Sequence, residues 1–347
     1  MKVIKNLKFA AAAIAVASCV SFSAKAQDNT LLGAGSTFVN PLFSKIFSQY
    51  TPSKVNYQSI GSGGGILQLT NKTVDFGDSD APLNEEQTKK IAAPVLHIPM
   101  TSGAVVITYN IPGVSKPLNL TGKDLADIYL GKIKTWNAAE IAATNKGVAL
   151  PELPIVVIHR SDGSGTSFIF TDYLTKVNSD WAGKVGKASA VNWPAGLGGK
   201  GSEGVAGLVK QTPGAIGYVE LAYAVQNKMP YANIQNKGGK FITPTTETTT
   251  LASNVELPAD SKVSVTNTDN PKGYPLVSFT WALIYKEQNY NGRSKERATA
   301  LVKLLWYNIH EGQKQCEPLN YGALSKSAVK TAEKILKSAT YDGKAIL

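Results

Sequence analysis

The sequence predicts an α/β protein of two lobes, on three observations. Short apolar runs alternate with helical patterns through most of the chain, the signature of α/β layers with parallel or mixed sheets. At 347 residues and 43% hydrophobic the chain can bury a large core, but one core stops growing near about 250–300 residues, so the material divides in two. Three Gly/Ser-rich segments each precede a helical pattern, and Arg160–Thr166 follows the apolar run Ile155–Ile158, which places it where α/β sheets bind ligands, outside the carboxyl ends of their strands.

Taken in order, the first residues read as a secretory signal peptide: Lys2, Lys5 and Lys8, an apolar stretch from Phe9 to Val20, then Ala24-Lys25-Ala26 with cleavage after Ala26. The apolar stretch falls short of the roughly 20 residues that span a membrane. Val16-Ala17-Ser18-Cys19 resembles the box before a lipid-modified cysteine, so a lipoprotein anchored through Cys19 is the alternative. Residues 1–26 carry four lysines and no acid, so the formal charge falls from +11 to +7 on cleavage. The remaining lysines are scattered, which suits solvation and weak anion steering and excludes a nucleic-acid footprint. With Cys19 gone, Cys316 has no intramolecular partner, so the fold stands on its core. His97, His159 and His310 are too widely spaced to indicate a metal centre, and no cofactor is indicated.

The three segments are Gly33-Ala34-Gly35-Ser36-Thr37-Phe38, Ser59-Ile60-Gly61-Ser62-Gly63-Gly64-Gly65, and Arg160-Ser161-Asp162-Gly163-Ser164-Gly165-Thr166-Ser167. Glycines admit a ligand close to backbone N–H groups, Ser and Thr add hydroxyl donors, and the helix that follows each segment points its positive end at the same place. Three such ends aimed at one point would bind a small tetrahedral anion. Between and beyond them, Val74–Phe76, Ala104–Tyr109, Ile155–Ile158, Ala215–Val219 and Leu276–Tyr285 read as buried strands, and Arg297–Ile309 and Lys326–Leu336 as amphipathic helices. Thr243–Thr250 and Asn267–Lys272 carry no sustained period and are expected as surface loops. Trp136, Trp181, Trp193, Trp281 and Trp306 are scattered among apolar neighbours and read as packing, not as sugar-stacking platforms.

The motifs GAGSTF, GSGGG, DFGDSDAPL, IYLGKIKTWN, HRSDGSGTSF and GLGGKGSEGVAGLVKQTPGAIGYVELAYA resemble the periplasmic phosphate-binding proteins of high-affinity phosphate ABC transporters, from about Leu31 to the C-terminus. The resemblance implies a type II periplasmic-binding fold. Its crossings fall near Thr101–Gly103 and Ser278, so that residues 27–102 and 279–347 build one lobe and 103–278 the other. It also implies a monomeric extracytoplasmic protein that captures inorganic phosphate for an inner-membrane ABC permease and performs no chemistry. The family's ligands fall on Thr37, Phe38, Ser62, Asp80, Arg160, Ser164, Gly165 and Thr166, with Asp162 orienting Arg160. Phe38 and Gly165 would act through their N–H groups, and Arg160 would supply the only full positive charge.

Asp80 is the informative member of that set, because a carboxylate can accept the O–H of a protonated phosphate but meets fully ionised sulfate with unpaired negative charge. A turn or helix-capping role before Ala81-Pro82 explains the same residue, as an Asp turn before Gly163 explains Asp162. Asp78 departs from the family's small residue and adds a second negative charge beside Asp80. Enzymatic readings fare worse. A nucleophile elbow needs Gly two positions before Ser, where Ser164 has Asp162 and Ser202 has Lys200; a phosphate-binding P-loop fails because Gly201 follows Lys200 and Pro194 holds the place of the leading glycine. A secreted phosphoester hydrolase built on the same cradle is the alternative from another class, distinguished by turnover of a chromogenic phosphoester. A surface adhesion protein is a third, and retention of every matched ligand position argues against it.

Overall fold

The structure, a computed structural model, describes residues 30–347; the signal peptide, its cleavage site and Cys19 lie outside the described residues. Its strands are β1 Leu31–Gly35, β2 Val55–Ser59, β3 Phe76–Ser79, β4 Val95–Tyr109, β5 Asn119–Leu120, β6 Val156–Arg160, β7 Leu197–Gly199, β8 Ala215–Glu220, β9 Asn233–Gln235, β10 Phe241–Ile242, β11 Val277–Tyr285, β12 Thr340–Tyr341 and β13 Lys344–Ala345. Eight of them form one mixed sheet in the order β2-β1-β3-β11-β4-β8-β6-β7, beside a small β10-β9-β5 sheet and the β12-β13 pair.

The parallel pairs β1–β2, β1–β3, β6–β8 and β6–β7 need crossovers, and amphipathic helices supply them. Asn40–Gln49, between β1 and β2, turns Leu42, Phe43, Ile46 and Phe47 into the core and starts with a proline in its first turn, where the missing N–H costs nothing. Ser294 and Ser325 accept N–H bonds at the starts of Lys295–Ile309 and Lys326–Lys337, capping the two helices foreseen near the C-terminus.

The long strand β4 joins two blocks of the sheet. Through Ala104 it pairs with β11, and from Val105 it pairs with β8. Thirteen consecutive residues of β4, His97–Tyr109, are buried, which is why the sequence there reads as a run and not an alternation. Opposite Thr280 and Trp281 the register slips past Met100, beside Pro99, which has no N–H for the ladder. Such a bulge re-aims neighbouring side chains, and Thr280 belongs to the site described below.

The strand expected at Val74–Phe76 starts only at Phe76 and runs to Ser79, and one further expectation fails outright. Within the threonine tract, Thr246–Ser253 is a helix: Thr245 and Thr248 cap it reciprocally, and Thr249, Ala252 and Ser253 are buried, with Ser253 Oγ 2.9 Å from Ser102 Oγ of β4. Threonine is a weak helix former, so this element comes from capping and docking and not from intrinsic preference. Asn267–Lys272 stays a loop. Trp136, Trp181 and Trp281 are fully buried, Trp193 and Trp306 pack partly buried against the core, and Cys316 is buried and unpaired.

Candidate functional site

Each of the three predicted segments leaves the carboxyl end of a strand and opens a helix. β1 leads to Asn40–Gln49, β2 to Ser62–Thr70 and β6 to Gly165–Val177. A fourth junction, not singled out in the sequence, runs from β7 into Gly201–Gln211. Its first two N–H groups face the same place: Gly201 N donates to Asp162 Oδ1 at 3.1 Å and Ser202 N to Thr37 Oγ1 at 3.2 Å. Lys200, excluded above as a P-loop lysine, is the residue before this helix.

All nine residues predicted for the site come together. Asp80 Oδ2 accepts from Ser36 Oγ at 2.7 Å and from Ser62 Oγ at 3.5 Å, and its Oδ1 accepts from Thr280 Oγ1 at 2.7 Å. Ser62 Oγ takes the N–H of Gly165 at 3.2 Å, and Phe38 N donates to Ser36 Oγ at 3.0 Å. Thr37 Oγ1 lies 2.9 Å from Ser202 Oγ. Arg160 holds Asp162 through Nε at 2.8 Å and Nη2 at 2.6 Å, and its Nη1 reaches Thr166 Oγ1 at 3.3 Å. Ser164 caps its helix by accepting from Ser167 N at 3.0 Å. The turn reading of Asp80 is not what its side chain does: the cap of the next helix, Glu85–Ile91, is Asn84.

Two glycines let the segments meet. Gly61 has φ +85°, and a Cβ there would stand 2.3 Å from Asp162 Oδ2; a Cβ on Gly165 would stand 2.5 Å from Asp80 Oδ2 and 2.6 Å from Ser62 Oγ. No L side chain fits either spot without displacing the acids. Gly63 N donates across the same gap to Gly163 O at 2.8 Å.

The charges are arranged unequally. Burial pushes the Asp80 carboxyl from 3.8 up to about 6, against the hydrogen bonds of Ser36 and Thr280, the charge of Arg160 and the bond from Ser62. Burial would also raise Asp162, but the hydrogen bonds and charge of Arg160, with the Gly201 N–H, hold it below its ordinary value. Asp162 therefore tempers the guanidinium as an ionised partner, while Asp80 is a strained carboxylate at neutral pH. Chemically the site gathers N–H and O–H donors and, among the described residues, one guanidinium and one acceptor of unusually high proton affinity. Ser36, Gly61, Gly201, Ser202 and Thr280 complete it. Ser36, Gly61, Gly201 and Ser202 lie inside motifs quoted above, whereas nothing local marks Thr280.

The PBP superfamily domain matches residues 21–305. The phosphate-binding protein PstS of Xylella fastidiosa is 42% identical over 308 residues, covering 87% of this chain and 83% of its own. The PstS of Haemophilus influenzae is 41% identical over 314 residues, covering 88% and 92%. Among solved structures, a high-affinity periplasmic phosphate-binding protein bound with phosphate superposes with TM-score 0.70 at 19% identity, covering 88% of this chain and 93% of that one. A phosphate-bound substrate-binding protein from Clostridium perfringens, described as a putative component of a phosphate ABC transporter, gives 0.61 at 19%, covering 85% and 100%. The architecture is the type II periplasmic-binding fold, and by sequence identity across most of its length the chain belongs to the family of phosphate-binding proteins PstS.

Proposed function

We propose that this chain binds inorganic phosphate between its two blocks of strands and delivers it, outside the cytoplasm, to an inner-membrane ABC permease. Thr37, Phe38, Ser62, Arg160, Ser164, Gly165 and Thr166 donate to the phosphate oxygens, and Asp80 accepts the proton that phosphate keeps and sulfate lacks. The observation that carries the reading is a buried carboxylate standing among donors and one guanidinium: a site for fully ionised anions has no use for it. The names of the relatives support the same ligand.

The energetics suffice. Micromolar binding needs about 8 kcal/mol, hydrogen bonds to a charged group contribute about 1.5–3 kcal/mol each, and the surplus offsets stripping water from a divalent oxyanion. In this reading the ligand is held and released unchanged; among the described residues no hydrogen bond joins Ser164 Oγ to a carboxylate or an imidazole, and its contact is with Ser167 N. In this reading residues 27–102 with 279–347 form one lobe and 103–278 the other, with β4 near Ala104 and β11 near Val277 as the crossings. The monomer reaches the periplasm by way of a signal peptide cut after Ala26, or stays anchored through Cys19.

Titration calorimetry of exhaustively dialysed protein tests this directly. Phosphate is expected to bind at micromolar or better with sulfate far weaker, and absence of phosphate binding overturns the reading. Turnover of a chromogenic phosphoester would favour the hydrolase instead. Closure of the cleft predicts a smaller radius of gyration on adding phosphate, measured by solution X-ray scattering.

A further inference from the structure

Two carboxyls share one hydroxyl. Thr280 Oγ1 stands 2.9 Å from Asp78 Oδ1 and 2.7 Å from Asp80 Oδ1, and a hydroxyl has a single proton to donate. With both acids ionised, one of these contacts would set lone pairs against each other in a place closed to water. The two acids are not equally supported. Asp80 has Ser36, Ser62 and the charge of Arg160, whereas Asp78 is wholly inaccessible and its Oδ2 is buried without a hydrogen-bond partner.

Among the described residues no cation faces Asp78, and Lys45, the charged side chain of the helix Asn40–Gln49, is exposed. Across β3 it pairs with Gly35 of β1 and Ala282 of β11. Neither β1 nor the helix Ser62–Thr70 carries a titratable group, and the one in β11, Tyr285, donates to Leu69 O. The titratable groups that face Asp78 are Asp80 and Tyr57 of β2, and the Tyr57 hydroxyl donates to Ser36 O.

We propose that Asp78 is held as the neutral acid and is a positioning residue: it donates to Thr280 Oγ1, Thr280 donates to Asp80 Oδ1, and the cleft presents one carboxylate instead of two. Burial first, then the charge of Asp80, push Asp78 well above the ordinary carboxylate range, in agreement with the geometry. The extra acid that the sequence reads as added negative charge is then no charge, and it serves to fix Asp80 as the acceptor. The inference rests on the phosphate reading for its consequence, but its first test does not.

Infrared spectroscopy on wild-type protein carrying 13C-labelled aspartate, at pH 8 where Asp80 is ionised, is expected to show one protonated aspartate carbonyl band; the label keeps buried Glu220 out of the spectrum. No such band overturns the inference, with or without phosphate binding. Calorimetry with inorganic phosphate and with sulfate then tests positioning. Asp78→Ala is expected to lower the phosphate-to-sulfate ratio by about fivefold or more, and Asp78→Asn, which donates as the acid does, to restore it. A rise of about tenfold in affinity for both anions in both variants, as removing a buried charge would produce, overturns the inference, and so does an unmoved ratio in Asp78→Ala. Thr280→Val is expected to lower the ratio likewise and Thr280→Ser to recover it, so the chain remains testable if Asp78→Ala does not fold.

Discussion

Asp80→Asn separates discrimination from stability in one substitution. Asp80 is 1% exposed, and lifting its carboxyl from 3.8 to about 6 corresponds to about 3 kcal/mol at neutral pH. The sign is fixed by proton binding: the folded protein holds this proton more tightly than the unfolded chain. Stability from Asp80 is therefore full below about 3.8 and is lost as pH rises through about 6. Asparagine has no charge to bury, so above pH 6 the ligand-free variant is expected to melt higher than wild type. The gain is at most about 3 kcal/mol, reduced by weaker bonds from Ser36 and Thr280. Its amide can also donate to sulfate where the carboxylate only accepts, so the phosphate-to-sulfate ratio is expected to fall at least about tenfold, or about 1.4 kcal/mol. Wild-type protein should take sulfate better as pH drops through about 6, and the variant should not. Competition calorimetry across pH and thermal melts of dialysed protein measure both effects. An unchanged ratio in a folded variant would refute the role of Asp80, and a variant less stable than wild type at pH 7 would refute the strained-carboxylate account.

Two further substitutions probe how the segments meet. Gly165→Ala places a methyl group 2.5 Å from Asp80 Oδ2 and 2.6 Å from Ser62 Oγ, so phosphate affinity by calorimetry is expected to fall about a hundredfold or more while the melting temperature stays within a few degrees, alanine being the better helix former. Wild-type affinity would show that the helix end need not approach Asp80. Arg160→Ala removes the bidentate partner of Asp162 and is expected to abolish tight phosphate binding and to cost about 3 kcal/mol by chemical denaturation. Adding Asp162→Ala should recover most of the stability and none of the binding, and recovery of binding in the double variant would contradict the assignment of Arg160 as the cation of the site.

The candidate binding segments were legible because each is a local device. A strand that ends in Gly-rich backbone and turns into a helix aims N–H groups wherever it occurs, so Gly33–Phe38, Ser59–Gly65 and Arg160–Ser167 can be read as candidate anion cradles within six to eight residues. The fourth junction at Gly201 has the same Gly-rich character, and only the contacts of Gly201 N and Ser202 N place it with the other three. The helix Thr246–Ser253 was not legible, since its residues have no apolar period and its stability comes from a capping pair and from contact with Ser102.

What the sequence by itself determined is the α/β class and the chemical character of each strand–helix turn, both consequences of periodicity and composition over short spans. The tertiary structure decided which groups share a proton. Thr280 reaches Asp78 and Asp80 from 200 residues away or more, carried by β11 pairing and by the slip of β4 past Met100. Proton affinity depends on burial and on neighbours within a few ångströms, and neither is a property of a residue's place along the chain; so two aspartates that look alike in DFGDSDAPL come to hold different charges only when the strands close over them.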